Sequence, residues 1–172
     1  MNPLNRDSLL SLHQYNVYAS RLVLETAAKM TAEELNRPSS PSYSTVQGLL
    51  IHILQVEVFF LGLCTGKNSL SRADFSEVIP LAEIESAFAR VADARAAYLE
   101  TVSEAELKEV IEAFIGGKPY RLPRWQLLAQ SLLQSIHHRG ELSIVMTSLG
   151  YPLPTLDPIL QYVSESGQVW GK

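Results

Sequence analysis

The sequence has little of what commonly builds disulfide or metal-cluster proteins. A single cysteine, Cys64, excludes an intrachain disulfide framework and any zinc site built on a CxxC pair. The 172 residues contain four histidines, and 14 Lys and Arg stand against 18 Asp and Glu, which gives a net charge of −4. No basic run is present, so no nucleic-acid partner is expected. Only four imidazole side chains are therefore available for acid–base or metal chemistry near neutral pH.

Long apolar runs are also missing. The N-terminal stretch is polar and has no apolar signal-sequence core. The most apolar segment, residues 49–64, contains His52, Gln55 and Glu57, and it is shorter than the ~20 residues that a bilayer span needs. We therefore expect a cytoplasmic protein without a membrane partner. Its length suits one domain, residues 1–172.

Helical periodicity dominates what is present. Apolar residues recur at helical spacing in four long stretches, at residues 6–29, 44–64, 81–102 and 125–149. Ser44 is the predicted N-cap of the second helix, and Gly66 ends it. That helix is apolar nearly all round, which predicts that it is buried.

The shorter elements complete a predicted all-α, four-helix bundle. A helical turn is expected at residues 31–35 and a terminal helix at residues 157–162, whereas residues 67–78 are polar and predicted irregular. Two short apolar stretches flank Gly116-Gly117, which predicts a small β-hairpin before the last long helix. Long helices without alternating strands indicate a bundle and not an α/β fold.

The fourth long helix is apolar on more than one face. One stripe at helical spacing comprises Leu127, Ser131, Gln134, His138, Leu142, Val145 and Leu149. Other faces carry Leu132, Leu133, Ile136 and Ile144. A helix with two apolar faces is either central in its bundle or part of a subunit interface. A homodimer built partly on this helix is the interpretation we favour.

Two histidines, His52 and His138, lie on helices that are predicted to be buried. Such positions are costly unless the imidazole is hydrogen-bonded or coordinates a metal. His138 shares its helix face with Gln134, four residues before it, and with Glu141, three residues after it. Facing helices of a bundle can bring such side chains to zinc or nickel. Core histidines satisfied by hydrogen bonds are the alternative.

The remaining polar residues have simpler expected roles. His13 is expected to be solvated or half-buried on the first helix. His137 points about 100° away from His138 and is expected at a helix or subunit contact. Arg139 is expected to pair with an acidic residue of a neighbouring helix. Glu57 is expected in a buried ion pair or a cap.

Four short segments, spread along nearly the whole chain, occur in an order and at a spacing that can be compared with a known family pattern. They are residues 13–19 (HQYNVYA), 44–57 (STVQGLLIHILQVE), 134–141 (QSIHHRGE) and 150–162 (GYPLPTLDPILQY). Together they resemble the DinB/YfiT-like superfamily of metalloenzymes, with its YNxWAN-type first segment, its second-helix histidine and its HxxHHRGQ motif. The closing G…P…D…Y stretch is similar as well.

The resemblance implies a four-helix bundle with a long crossover, a homodimer, and a divalent metal (zinc or nickel) held by three histidines. Transferred to this chain, two ligands are His52 and His138, and the third position is Gln134. A neutral amide is a much poorer ligand for these metals than imidazole. Glu141, which replaces the last glutamine of the motif, is an alternative third ligand. Asn16 and Tyr18 are expected to line the pocket.

Three interpretations remain open. His52 and His138 bind a metal with help from Gln134 or Glu141, or the metal is lost and a polar pocket survives, or the pocket binds a small ligand. With a metal, the resemblance implies a metal-dependent hydrolase or a thiol S-transferase that uses a low-molecular-weight thiol. Without it, a non-catalytic ligand-binding or stress-related protein is expected.

Overall fold

The computed structural model describes residues 3–66 and 79–169. Within these ranges the elements are α1 (Arg6–Ala27), α2 (Ala32–Leu35), α3 (Val46–Thr65), α4 (Leu81–Thr101), α5 (Glu104–Lys108), β1 (Val110–Ile115), β2 (Lys118–Pro123), α6 (Arg124–Ser148) and α7 (Pro158–Glu165). The predicted all-α bundle with a hairpin before the last long helix is confirmed. The segment 67–78, predicted to be irregular, lies outside the described residues.

The start of α3 differs from the prediction. Thr45, not Ser44, is the N-cap, and its side-chain hydroxyl accepts a hydrogen bond from the Gly48 amide at 2.9 Å. Ser44 has φ of 64°, in the left-handed region, whereas an N-cap residue has an extended backbone. Its carbonyl oxygen instead accepts hydrogen bonds from the Ser39 and Ser40 amides. Ser44 therefore closes the preceding turn and does not cap the helix.

Helix α3 lies in the core of the bundle. It packs against α6 on one side and α4 on another, while α1 packs against both α4 and α6. By length and composition α3 could cross a membrane, but 56% of its most apolar window is buried within the protein. Leu49, Leu50 and Leu54 are almost completely buried. The predicted burial of this apolar helix is confirmed, and its inward residues supply much of the core.

The hairpin connects α5 to α6. Its register pairs Val110 with Pro123 and Ile115 with Lys118, and both turn glycines have positive φ (61° and 77°), as a tight two-residue turn requires. The Arg124 guanidinium donates to the Glu109 carboxylate at 2.9 Å and also to the Cys64 carbonyl oxygen. These contacts join the end of α3 to the start of α6, so the two helices run beside each other from a common point.

Helix α6 separates its two apolar faces as the spacing predicts. On the first stripe, Leu127, Ser131, His138, Leu142 and Val145 are buried, and Gln134 and Leu149 are half-buried. Leu132 is buried too. The other apolar face is open, with Leu133, Ile136 and Ile144 exposed by 54%, 37% and 75%. The bundle therefore accounts for one apolar face of α6 and leaves the other uncovered in the monomer.

Candidate functional site

The fold brings the two predicted histidines into contact. His52 projects from α3 and His138 from α6, and their ring centroids are 4.6 Å apart with nearly perpendicular planes. His138 is buried and His52 is half-buried. This convergence follows from the close packing of α3 against α6 along their length. The pair forms the centre of the candidate site.

Tyr43 completes the aromatic wall of the site, and sequence reasoning did not single it out. Its ring stacks on His52 with a centroid distance of 3.8 Å and lies edge-on to His138 at 5.3 Å. The loop before α3 presses on Gly48, where an added Cβ would lie 2.2 Å from the Tyr43 carbonyl oxygen. A glycine in the first turn of an apolar helix was the available indication of such a close approach.

Gln134 lies beside His138 as its position one turn earlier predicts. The Gln134 side-chain nitrogen lies 2.8 Å from Nε2 of His138, and the Gln134 oxygen accepts a hydrogen bond from the Gln130 side-chain amide at 3.3 Å. Since the Gln134 amide donates, Nε2 is the acceptor and the imidazole proton lies on Nδ1. Burial, and then the neighbouring His137, lowers the pKa of His138, so the ring is neutral near pH 7.

Glu141 lies on the opposite edge of the His138 ring. Its Oε2 is 3.6 Å from Nδ1 of His138, and its Oε1 accepts hydrogen bonds from the Ser40 hydroxyl at 2.6 Å and the Ser42 amide at 3.3 Å. Burial acts to raise the pKa of Glu141, but the hydrogen bonds from Ser40 and Ser42 outweigh it and the pKa falls. Glu141 is therefore an ionised group near the Nδ1 side of the ring, and at 3.6 Å it does not hydrogen-bond to His138.

The side chains around the two rings supply only part of a usual zinc or nickel site. In residues 3–66 and 79–169, no group of three His, Cys, Asp or Glu side chains is placed to hold a metal ion. Gln134 and Glu141 face different nitrogens of His138, so only Gln134 shares the Nε2 side of the ring. The donors on this side of the ring are two imidazoles and one amide, a weaker set for zinc or nickel than three histidines. The Gln134 amide would have to turn its oxygen toward the ion.

A second polar cluster links four helices next to this site. Glu57 pairs with Arg95 at 3.0 Å, and its Oε1 accepts from the Asn16 amide at 2.9 Å and the Ser135 hydroxyl at 2.7 Å. Glu57 and Arg95 are 1% and 0% exposed, so the predicted buried ion pair is present. Burial opposes ionisation of Glu57, yet Arg95 and the two hydrogen bonds lower its pKa.

Two predictions for this cluster are wrong. Arg139 donates to Asn16 at 2.8 Å and to Ser20 at 3.1 Å, and in the described part of the chain it has no direct ion pair. The Asn16 side chain connects the two residues: its oxygen accepts from Arg139, and its amide nitrogen donates to Glu57. His13 is only 6% exposed, not solvated or half-buried, because the face of α1 that carries it packs against α4.

Among the other named residues, Asn16 and Tyr18 take part in other contacts of the bundle, whereas His137 lies beside the His138 ring. Asn16, expected in the pocket, belongs to the Glu57 cluster and lines a cleft between α1 and α4. Tyr18 is half-buried, with the Arg21 guanidinium 5.7 Å from its ring centroid, and is not part of that lining. His137 is exposed on α6, with its ring centroid 4.9 Å from that of His138.

The sequence of the chain was compared with models of known families and its fold with solved structures. The model of the DinB family matches residues 2–167. The chain belongs to the DinB family. Among solved structures, this DinB-family chain is similar to a DinB-like protein from Bacillus cereus, with a TM-score of 0.71 at 20% identity over 87% of this chain and 95% of that one.

A DinB-like protein from Bacillus subtilis has a TM-score of 0.63 at 20% identity, over 85% of this chain and 96% of that one. At such identities the likeness extends to the fold alone. No curated protein matches the DinB-family chain in sequence. The chemistry of the site must therefore be argued from its own residues.

Proposed function

We propose that this DinB-family chain binds a divalent metal, zinc or nickel, between His52 and His138, with Gln134 as the third and weakest ligand. The observation that carries the proposal is the meeting of two imidazoles from α3 and α6, with centroids 4.6 Å apart. Burial keeps His138 unprotonated, which is the form that binds metal. Glu141 supports it, because its negative charge 3.6 Å from Nδ1 favours the proton on that nitrogen and leaves Nε2 without one.

The proposed activity is a metal-dependent hydrolysis or a thiol S-transfer to a small electrophile, with a low-molecular-weight thiol as co-substrate. When bound, a divalent metal lowers the pKa of a coordinated water or thiol and so supplies a nucleophile. The chain's own residues define the surroundings. Tyr43 covers one face of His52, and the Ser40–Glu141 contact closes the loop over the Nδ1 side of His138.

Equilibrium dialysis against zinc or nickel, followed by metal analysis, tests the proposal. We expect about one ion per chain for the wild type and loss of at least about tenfold in affinity for His138→Ala. His137→Ala is the matched control, because its exposed ring projects from the adjacent position of α6 and should retain wild-type affinity. Gln134→His should tighten binding, because imidazole is the better ligand. Equal, negligible metal in wild type and Gln134→His would refute the proposal.

A non-catalytic, small-ligand-binding or stress-related protein is the second candidate. The observation that favours it is the hydrogen bond from the Gln134 amide to Nε2 of His138, which occupies the nitrogen that a metal would use. In that case His138 and Gln134 serve as hydrogen-bonding partners for an organic ligand. The dialysis experiment separates the candidates, since this one predicts no stoichiometric metal in the wild type.

We further propose a cytoplasmic homodimer that covers the open apolar face of α6. Leu133, Ile136 and Ile144 support it, because three neighbouring exposed apolar side chains on one helix favour burial against a partner. Light scattering after size-exclusion chromatography tests the dimer. Ile144→Glu should yield monomers, whereas Ala97→Glu, which adds the same charge at an exposed position of α4, should leave the dimer intact. A monomeric wild type at high protein concentration would contradict this part of the proposal.

A further inference from the structure

A cleft of about 280 Å³ lies between α1 and α4, apart from the two histidine rings. Its walls are mostly apolar and include Val17, Leu24, Phe88, Ala89 and Ala92. Small-molecule sites begin at roughly 300 Å³, and a cavity of about 150 Å³ accommodates benzene. The space therefore suits a molecule with one ring or a short branched chain, together with a short polar arm.

The inner end of the cleft is polar and already organised. Asn16, Ser20 and Glu57 belong to its lining, and Asn16 and Glu57 are 3% and 1% exposed. Glu57 accepts three hydrogen bonds from protein groups in the described residues, and an ionised carboxylate offers about four acceptor positions. The Ser20 oxygen accepts one hydrogen bond from Arg139 and has a second lone pair that can accept another.

The polar groups that reach the inner end of the cleft select among ligands. Glu57 belongs to the lining, whereas the buried arginines behind it, which bond to the lining, do not. The charge of Glu57 is balanced by Arg95 at 3.0 Å, and Arg21 and Glu25 of the lining are bonded to each other at 2.6 Å. A ligand therefore meets acceptor oxygens at the inner end, so a hydrogen-bond donor is favoured and a carboxylate is disfavoured.

We infer that the cleft between α1 and α4 binds a small, largely apolar molecule whose inner end carries a hydrogen-bond donor, an amine or a hydroxyl. The donor reaches the remaining acceptor position of Glu57 and the Ser20 hydroxyl. The apolar body lies against Leu24, Phe88 and Ala92. This site is independent of the metal proposed at His52 and His138, since those residues do not line it.

Titration of the full, metal-free, isotopically labelled chain with benzylamine, benzyl alcohol and benzoate, followed by amide NMR shifts, tests the inference. The three probes share a ring and differ in the polar group. We expect saturable shifts at residues 16–25 and 85–92 and near Glu57 with the amine and the alcohol, and at least about tenfold weaker binding of benzoate. Shifts centred away from these lining residues, or benzoate binding as tightly as the amine, would overturn it.

Filling the cleft supplies the matched comparison. Ala92→Leu occupies the half-buried wall, whereas Ala97→Leu adds the same side chain at an exposed position of α4. We expect the dissociation constant of the alcohol to rise about tenfold or more in the first variant and to change less than about twofold in the second. Ala89→Leu, at the exposed mouth, is a second filling variant that leaves the core untouched. Wild-type affinity in folded Ala92→Leu and Ala89→Leu would refute the site.

Discussion

Acid should destabilise this protein through His13 before most carboxylates titrate. The side chain is 6% exposed, and burial, followed by the nearby Arg95, lowers its pKa from 6.5 to about 4. Glu57 and Asp93 act in the opposite direction but are outweighed. In the unfolded chain the imidazole recovers its ordinary pKa of 6.5. Between these two values the unfolded state binds more protons, so stability falls as the pH falls.

The size of the effect follows from the two pKa values. One pKa unit corresponds to about 1.4 kcal/mol, and the separation here is about 2.5 units. Taking the pH from about 7.5 to about 5 traverses most of the window, and His13 alone should lower the free energy of unfolding by about 2 kcal/mol. That is a large fraction of the stability of an ordinary domain.

Urea unfolding followed by circular dichroism at the two pH values measures this loss. His13→Leu and His13→Gln both remove the titrating group, one apolar and one polar, so both should lose about 2 kcal/mol of the pH dependence shown by the wild type. Their absolute stabilities can differ, and only the pH dependence is compared. If both variants show the same pH dependence as the wild type, His13 has the same pKa in the folded and unfolded states, and the prediction is wrong.

Three further predictions concern the core and the loop. Glu57→Ala should cost about 3–5 kcal/mol in urea unfolding, because it leaves the buried Arg95 guanidinium without its carboxylate, whereas exposed Glu25→Ala should cost about 0.5 kcal/mol or less. Gly48→Ala should cost about 1–3 kcal/mol, because its Cβ meets the preceding loop, while Gly140→Ala, with nothing within 4 Å, should not destabilise. If the two glutamate variants, or the two glycine variants, lose the same free energy of unfolding, the contacts described for Glu57 or Gly48 are wrong. Cys64 is 1% exposed, and burial raises its pKa to about 12, so a thiol reagent should label it only after unfolding.

The architecture was largely predictable because it depends on periodicity. Helical spacing of apolar residues located the long helices, and Gly116-Gly117 located the hairpin turn, since both glycines take positive φ. The helix start at Thr45 was missed by one residue. Ser44 and Thr45 are equally good caps by composition, and only the left-handed backbone at Ser44, set by its turn with Ser40, decides between them.

For the candidate site, the sequence was enough to predict which helices bring their histidines together, but not the hydrogen bonds around the rings. His52 and His138 could be paired from helix faces and from the resemblance, but the direction of the Gln134 amide could not. That direction depends on the hydrogen bond that the Gln134 oxygen accepts from Gln130. Tyr43 was missed because it lies in a loop, where spacing carries no information about side-chain position.

A crystal of the protein soaked in nickel, with data collected at the nickel absorption edge, tests most directly whether His52 and His138 hold a metal. We expect an anomalous peak between the two rings, about 2.1 Å from Nε2 of His138, with the Gln134 oxygen turned toward it. A map with no peak there, and with the Gln134 amide still donating to His138, would show that the two histidines do not form a metal site.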